Sequence, residues 1–178
     1  AATASNGAVG LYHVENLTPE AVEFGEKIIN EDAKVYVIDD AELERVKASY
    51  PVMWKDPNGK PDCCFIGCPH LTFAQLGQWA DKFEEELKKQ GKTKVGMNTI
   101  MTSAPDVLEE FKAKDKAHYE KLVAMGVHLT SICPLMYMNN PLCGKKNVLT
   151  NSNKLRTYTT SRYYTDDEIC TIAVKGAI

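Results

Sequence analysis

Short apolar runs alternate with amphipathic stretches along this chain, and most of the amphipathic stretches open on a recognisable helix cap. Strand, helix, strand, helix is the pattern of a parallel sheet with helices on its faces. The strand candidates are 34–38, 62–67, 94–100, 127–132 and 147–149. Thr18-Pro19 sets a cap ahead of a proline at the first helical position. Asp40 is placed to cap a helix running to about Ser49. Thr72 and Gln75 have capping-box spacing, and Leu71 with Leu76 has the spacing of a hydrophobic staple. Leu76, Trp79, Ala80, Phe83 and Leu87 then fall on one helical face, and Gly91 ends it. Ser103 and Asp106 open a helical region that stops at Gly126. Thr165 and Glu168 form a second capping box before Ile169, with Gly176 beyond. The expected fold is α/β, three layers, with a mostly parallel sheet covered by helices on both faces. One domain is expected over 1–178, with 1–17 an arm or edge segment.

In such sheets ligands gather beyond the carboxyl ends of the strands. The residues to inspect are therefore Asp39-Asp40, Gly67-Cys68-Pro69-His70, Met101-Thr102-Ser103, Cys133-Pro134 and Thr150-Asn151-Ser152. Cys68 follows one strand, Cys133 another, and Cys143 lies ten residues further on. Three thiolates can hold an iron–sulfur centre and leave one iron open to a substrate oxygen. With His70 they can instead hold zinc. Small buried hydrophobes are the competing assignment, since no close Cys-x-x-Cys pair exists. Cys63, in mid-strand, and Cys170, among helical apolar positions, read as packing. Asp39-Asp40 reads as a cap rather than an ion site, because no second acid follows the next strand.

His70, at a helix entrance beside Cys68, is open to both a ligand and a general-acid role. The run from Thr150 to Tyr158 packs amides, hydroxyls, Lys154 and Arg156 directly after a strand. It suits a carboxylate or phosphate, and equally a polar surface loop. Ser5-Asn6-Gly7 is a similar small polar loop near the terminus.

Composition narrows the class. With 44% hydrophobic and 25% charged residues, the chain has enough apolar material to fold. A net charge of −3, from 21 basic and 24 acidic residues, gives no reason to expect nucleic acid or an anionic membrane as partner. No apolar run approaches the roughly 18 residues of a membrane span. No signal-peptide pattern appears, so reduced thiols and a cytoplasmic location are expected. The first residue is Ala1, and the chain is expected to be a segment of something longer.

Five segments occur in one order over nearly the whole chain: Ser5 to His13, Thr18-Pro19-Glu20-Ala21, Gly67-Cys68-Pro69-His70, the loop from Cys133 to Cys143, and Thr150-Asn151-Ser152-Asn153-Lys154. Together they resemble the large-subunit catalytic region of aconitase X. That family includes archaeal-type phosphomevalonate dehydratase and cis-3-hydroxy-L-proline dehydratase. The resemblance implies a hydro-lyase, removing water from a hydroxy acid such as mevalonate 5-phosphate or cis-3-hydroxy-L-proline, with an isoprenoid-biosynthesis role in the first case. It implies Cys68, Cys133 and Cys143 as ligands of an iron or iron–sulfur centre, and His70 and Ser152 as catalytic candidates. Ser5, Asn6, Asn151, Ser152, Lys154 and Arg156 become the candidates for holding substrate. The implied partners are the remainder of the large subunit and a small swivelling subunit or domain, so the segment is expected to be incomplete as an enzyme. The alternative is a zinc-binding or structural α/β domain without activity of its own.

Overall fold

The structure is a computed structural model describing residues 2–178, with the side chains of Ala2, Ser5 and Asn6 outside that description. It divides into two units, Ala1–Pro51 and Val52–Ile178.

The first unit holds helices α1 (Ala2–Gly7), α2 (Pro19–Phe24) and α3 (Asp40–Ala48), with a 3₁₀ turn at Gly25–Ile28. Thr18 takes the extended backbone of an N-cap, but its hydroxyl bonds back to Val14 rather than forward into α2. The cap of α3 is Asp39, not Asp40: its Oδ1 accepts from the Glu42 amide at 2.8 Å. Asp40 already lies inside the first turn. Residues 34–38, expected as a strand, belong to no sheet among the described residues.

The second unit carries β1 (Cys63–Leu71), α4 (Phe73–Lys89), β2 (Asn98–Ser103), α5 (Pro105–Lys114), α6 (Lys116–Ala124), β3 (Val127–Thr130), α7 (Pro134–Asn139), β4 (Val148–Thr150), α8 (Asn153–Tyr158), β5 (Arg162–Tyr163) and α9 (Asp166–Lys175). The sheet order is β3-β2-β1-β4-β5 and every pairing is parallel. β1 is central, and Cys63 to Ile66 are buried on both faces, as a parallel strand under two helical layers must be.

Successive side chains point to opposite faces. Cys64 and Ile66 join Trp79, Phe83, Phe111, Leu122 and Ile169 in one core. Cys63 and Phe65 join Ile100, Met138, Val148 and Leu155 in the other. The helices α4, α5, α6 and α9 thus cover one face, and α7 and α8 the other. Each fully buried Leu or Phe contributes about 1.5–3 kcal/mol, so the one-sided stripe on α4 suffices to dock it.

Both capping boxes form, at Thr72–Gln75 and Thr165–Glu168. Gly91 and Gly176 follow α4 and α9 with positive φ. Several elements differ from the sequence reading. Residues 94–97 do not join β2, because Val95 and Gly96 donate to the carbonyls of Met125 and Ala173. The region from 103 to 126 is two helices, broken at Asp115, whose carboxylate caps α6. β5 went unread because two residues carry no pattern; it exists only by pairing with β4.

Between α4 and α6 lies a polar network. His118 Nδ1 sits 2.7 Å from Asp115 and Nε2 3.1 Å from Asp81. Lys121 reaches Glu84 at 3.0 Å and Asp81 at 3.3 Å. The hydrogen bond to Asp115, with the charges of both aspartates, raises the His118 pKa against some opposing desolvation. A raised histidine stabilises most below its unfolded value, about 6.5, and loses that contribution as pH rises through the folded value. The melting-temperature difference between the parent and His118→Gln is therefore expected to be about 1–3 °C near pH 5.5 and to shrink toward pH 8. Thermal melts across that range check it, and a difference that grows with pH would contradict the network.

Candidate active-site edge

Because all five strands run parallel, the carboxyl ends of β1, β2, β3 and β4 share one edge. Gly67 shapes the first of these ends. Its φ is +110°, and a Cβ there would lie 2.4 Å from the Thr102 carbonyl oxygen. Only glycine allows that approach. The register of β1 against β2 breaks between Ile66 and Leu71 and resumes at Leu71 opposite Ser103. Cys68, Pro69 and His70 form the bulge between them, joined by a cis Cys68-Pro69 bond. Cys68 is half-buried against the second core, and His70 is exposed.

Hydroxyls lock the neighbouring ends. Thr102 Oγ1 donates to the Ile132 carbonyl at 2.8 Å, tying β2 to the segment just before Cys133. Ser103 Oγ donates to the Leu71 carbonyl, closing the bulge. Thr150 Oγ1 accepts from the Ser152 amide at 3.1 Å. All three side chains are buried. Each is satisfied by backbone, which removes the penalty of burying a hydroxyl. The sequence reading put these residues on the edge without seeing this role. Its signal is a hydroxyl residue closing an otherwise apolar strand.

After β4, Ser152 is buried, and its Oγ accepts from the Leu155 amide as the cap of α8. Asn151 Nδ2 donates to Asp166 at 2.8 Å. Arg156 donates to Asn153 and Thr157 on its own helix, and Lys154 is half-buried. Asp39-Asp40, expected on this edge, belong to the other unit and follow no strand. The side chains of Ser5 and Asn6 lie outside the described residues.

The six free thiols divide by position. Burial pushes Cys63 up to about 11 and Cys170 up to about 12. It raises buried Cys64 as well. These three are held neutral and act as packing residues. Cys133 is exposed, immediately before α7. The β1 and β3 ends are separated by β2, which sets the strands leading to Cys68 and Cys133 about 10 Å apart.

Cys143 is half-buried in the turns after α7, near the Tyr137 hydroxyl and the Cys63 thiol. Lys146 Nζ donates to the Tyr137 hydroxyl there at 3.2 Å. Among the described residues, no three His, Cys, Asp or Glu side chains come together as a metal-binding group. Cys68, Cys133, Cys143 and His70 form no such group among the described residues.

Residues 61–173 match the family model of the aconitase X third domain. The chain is 33% identical over 92 residues to the phosphomevalonate dehydratase large subunit of Thermococcus kodakarensis, covering 52% of this chain and 21% of that protein. It is 28% identical over 160 residues to the protein of that name from Methanocaldococcus jannaschii, covering 89% and 36%. The chain thus spans about a fifth to a third of the length of these relatives. A crystal structure of Thermococcus kodakaraensis aconitase X in its holo form superposes with a TM-score of 0.58 at 18% identity, over 80% of this chain and 36% of that one, a likeness of fold. With the family model covering well over half of its residues, this chain belongs to the aconitase X family, and its parallel-sheet unit is that family's third domain.

Proposed function

We propose that this chain supplies one wall of the active site of a cytoplasmic dehydratase that removes water from a hydroxy acid, mevalonate 5-phosphate being the first candidate and cis-3-hydroxy-L-proline the second. The observation that carries the reading is a sheet edge bearing Cys68, His70, Cys133, Asn151 and Lys154 in a chain of the aconitase X family. Relatives named phosphomevalonate dehydratase large subunit favour the phosphorylated substrate.

Water loss from a hydroxy acid breaks a C–O bond and a C–H bond beside a carboxylate. Negative charge grows on the carboxylate, and hydroxide leaves poorly unless it is protonated or polarised. Fixed donors aimed at the growing charge are the main lever. Lys154 supplies an ammonium for the carboxylate or phosphate, with Asn151 beside it, held by its bond to Asp166. Arg156 adds a second cation on α8 if the substrate reaches it. Ser152 serves through its position as a cap rather than as a free hydroxyl. His70, on the bulge, passes a proton to the leaving oxygen in this reading.

An iron or iron–sulfur centre would have to lie against this edge, with Cys68 and Cys133 as the thiols this chain offers. Among the described residues these form no complete ligand set. The rest of the large subunit and a small subunit complete the site in this reading.

The test is to assay the complete enzyme against both hydroxy acids, following formation of the unsaturated acid by mass. Water loss from mevalonate 5-phosphate is expected; loss from neither compound would overturn the reading.

A further inference from the structure

We propose that residues 34–38 are a β-strand of another domain, pairing with a sheet edge in the part of the large subunit that precedes the third domain. Val35, Tyr36, Val37 and Ile38 are 90%, 68%, 72% and 68% exposed. Four consecutive β-formers exposed on both faces are not a surface loop composition. Among the described residues their backbone makes no ladder hydrogen bond. Lys34 and Asp39 bound the run with charge, at the ordinary length of a strand. With no polar residue in alternation, both faces ask to be covered, which is the condition of a strand inside a helix-covered sheet.

The surrounding unit supports the same conclusion. Of the described residues of Ala1–Pro51, Ala21 alone is buried. Leu11, Leu17, Val22 and Ile29 are all exposed. A stretch of this size without a core does not hold itself together, so its apolar side chains belong to a core completed elsewhere.

The match to the family model begins only at residue 61 and is to a third domain, so the first unit lies outside that domain. The 160-residue match to the Methanocaldococcus jannaschii relative is too long to fit after residue 61, so it takes in most of the first unit. That relative is more than twice as long as this chain, and its remaining length supplies a domain for the strand to enter. The occupant is therefore the same polypeptide's preceding domain rather than a second copy. The inference rests on family membership and not on the water-loss reading.

Hydrogen exchange followed by mass spectrometry tests it on two samples, the 178-residue chain and the natural enzyme purified from its source. In the 178-residue chain, peptides over 33–40 are expected to exchange at the earliest time point while β1 stays protected. In the natural enzyme the same peptides are expected to slow by on the order of 100-fold. Lys34 is expected to cross-link into the same large-subunit polypeptide, upstream of this region. Equal exchange in both samples would overturn the proposal. So would protection in the 178-residue chain through self-association, or cross-links from Lys34 only to a small subunit or a second copy. Exchange is read without any assay of activity, so failure of either proposal leaves the other measurable.

Discussion

Gly67→Ala is expected to lower the melting temperature by about 10 °C and to abolish the ordered bulge that carries Cys68 and His70. Two effects add. The φ of +110° is open to glycine and strained for alanine. The new methyl would also meet the Thr102 carbonyl at 2.4 Å, which is backbone of the neighbouring strand and cannot swing aside. Together these amount to about 3–5 kcal/mol, and at this chain length 1 kcal/mol moves the midpoint by about 2–4 °C. The contact is to β2 itself, so relief by local adjustment would break the pairing that resumes at Leu71 and Ser103. Thermal melts of the 178-residue chain measure the effect, and a change under about 2 °C would show that the bulge is not held this tightly.

Cys133→Ser is expected to reduce water loss by the complete enzyme about 100-fold or more while leaving the melting temperature within about 1 °C. The side chain is exposed and takes no part in either core, so exchanging sulfur for oxygen removes little packing. Loss of a thiol that would hold an iron centre against this edge is expected to cost on the order of 10²-fold. Cys170→Ser is the control with the opposite signature. That thiol is buried where α9 packs on α4, its Sγ donating to the Lys82 carbonyl, so its replacement disturbs core packing and lowers stability without a comparable fall in turnover. Equal effects of the two variants on activity would remove Cys133 from the site.

Much of this molecule was legible from residue order because the relevant forces are local. Both capping boxes, the apolar stripe of α4 and the stop at Gly91 depend on groups within a few residues of one another. So does the alternation of strands and helices, which already implies a parallel sheet and hence an edge where Gly67–His70, Cys133 and Asn151 gather. The family follows from segments spread along the chain in a fixed order.

Other features were decided only by the tertiary structure, because they depend on what lies across from a residue rather than beside it. The apolar run at 34–38 has every local property of a strand, yet a strand is a pairing, and among the described residues this run has no partner strand. β5 is the converse, two residues without a pattern that become a strand because β4 lies alongside. The glycine at 67 could be read as a turn residue, but its necessity comes from a carbonyl thirty-five residues away, brought within van der Waals range by the sheet. Hydrogen bonds within a turn are written in the order of the residues; the approach of one strand to another is set by the whole packed sheet.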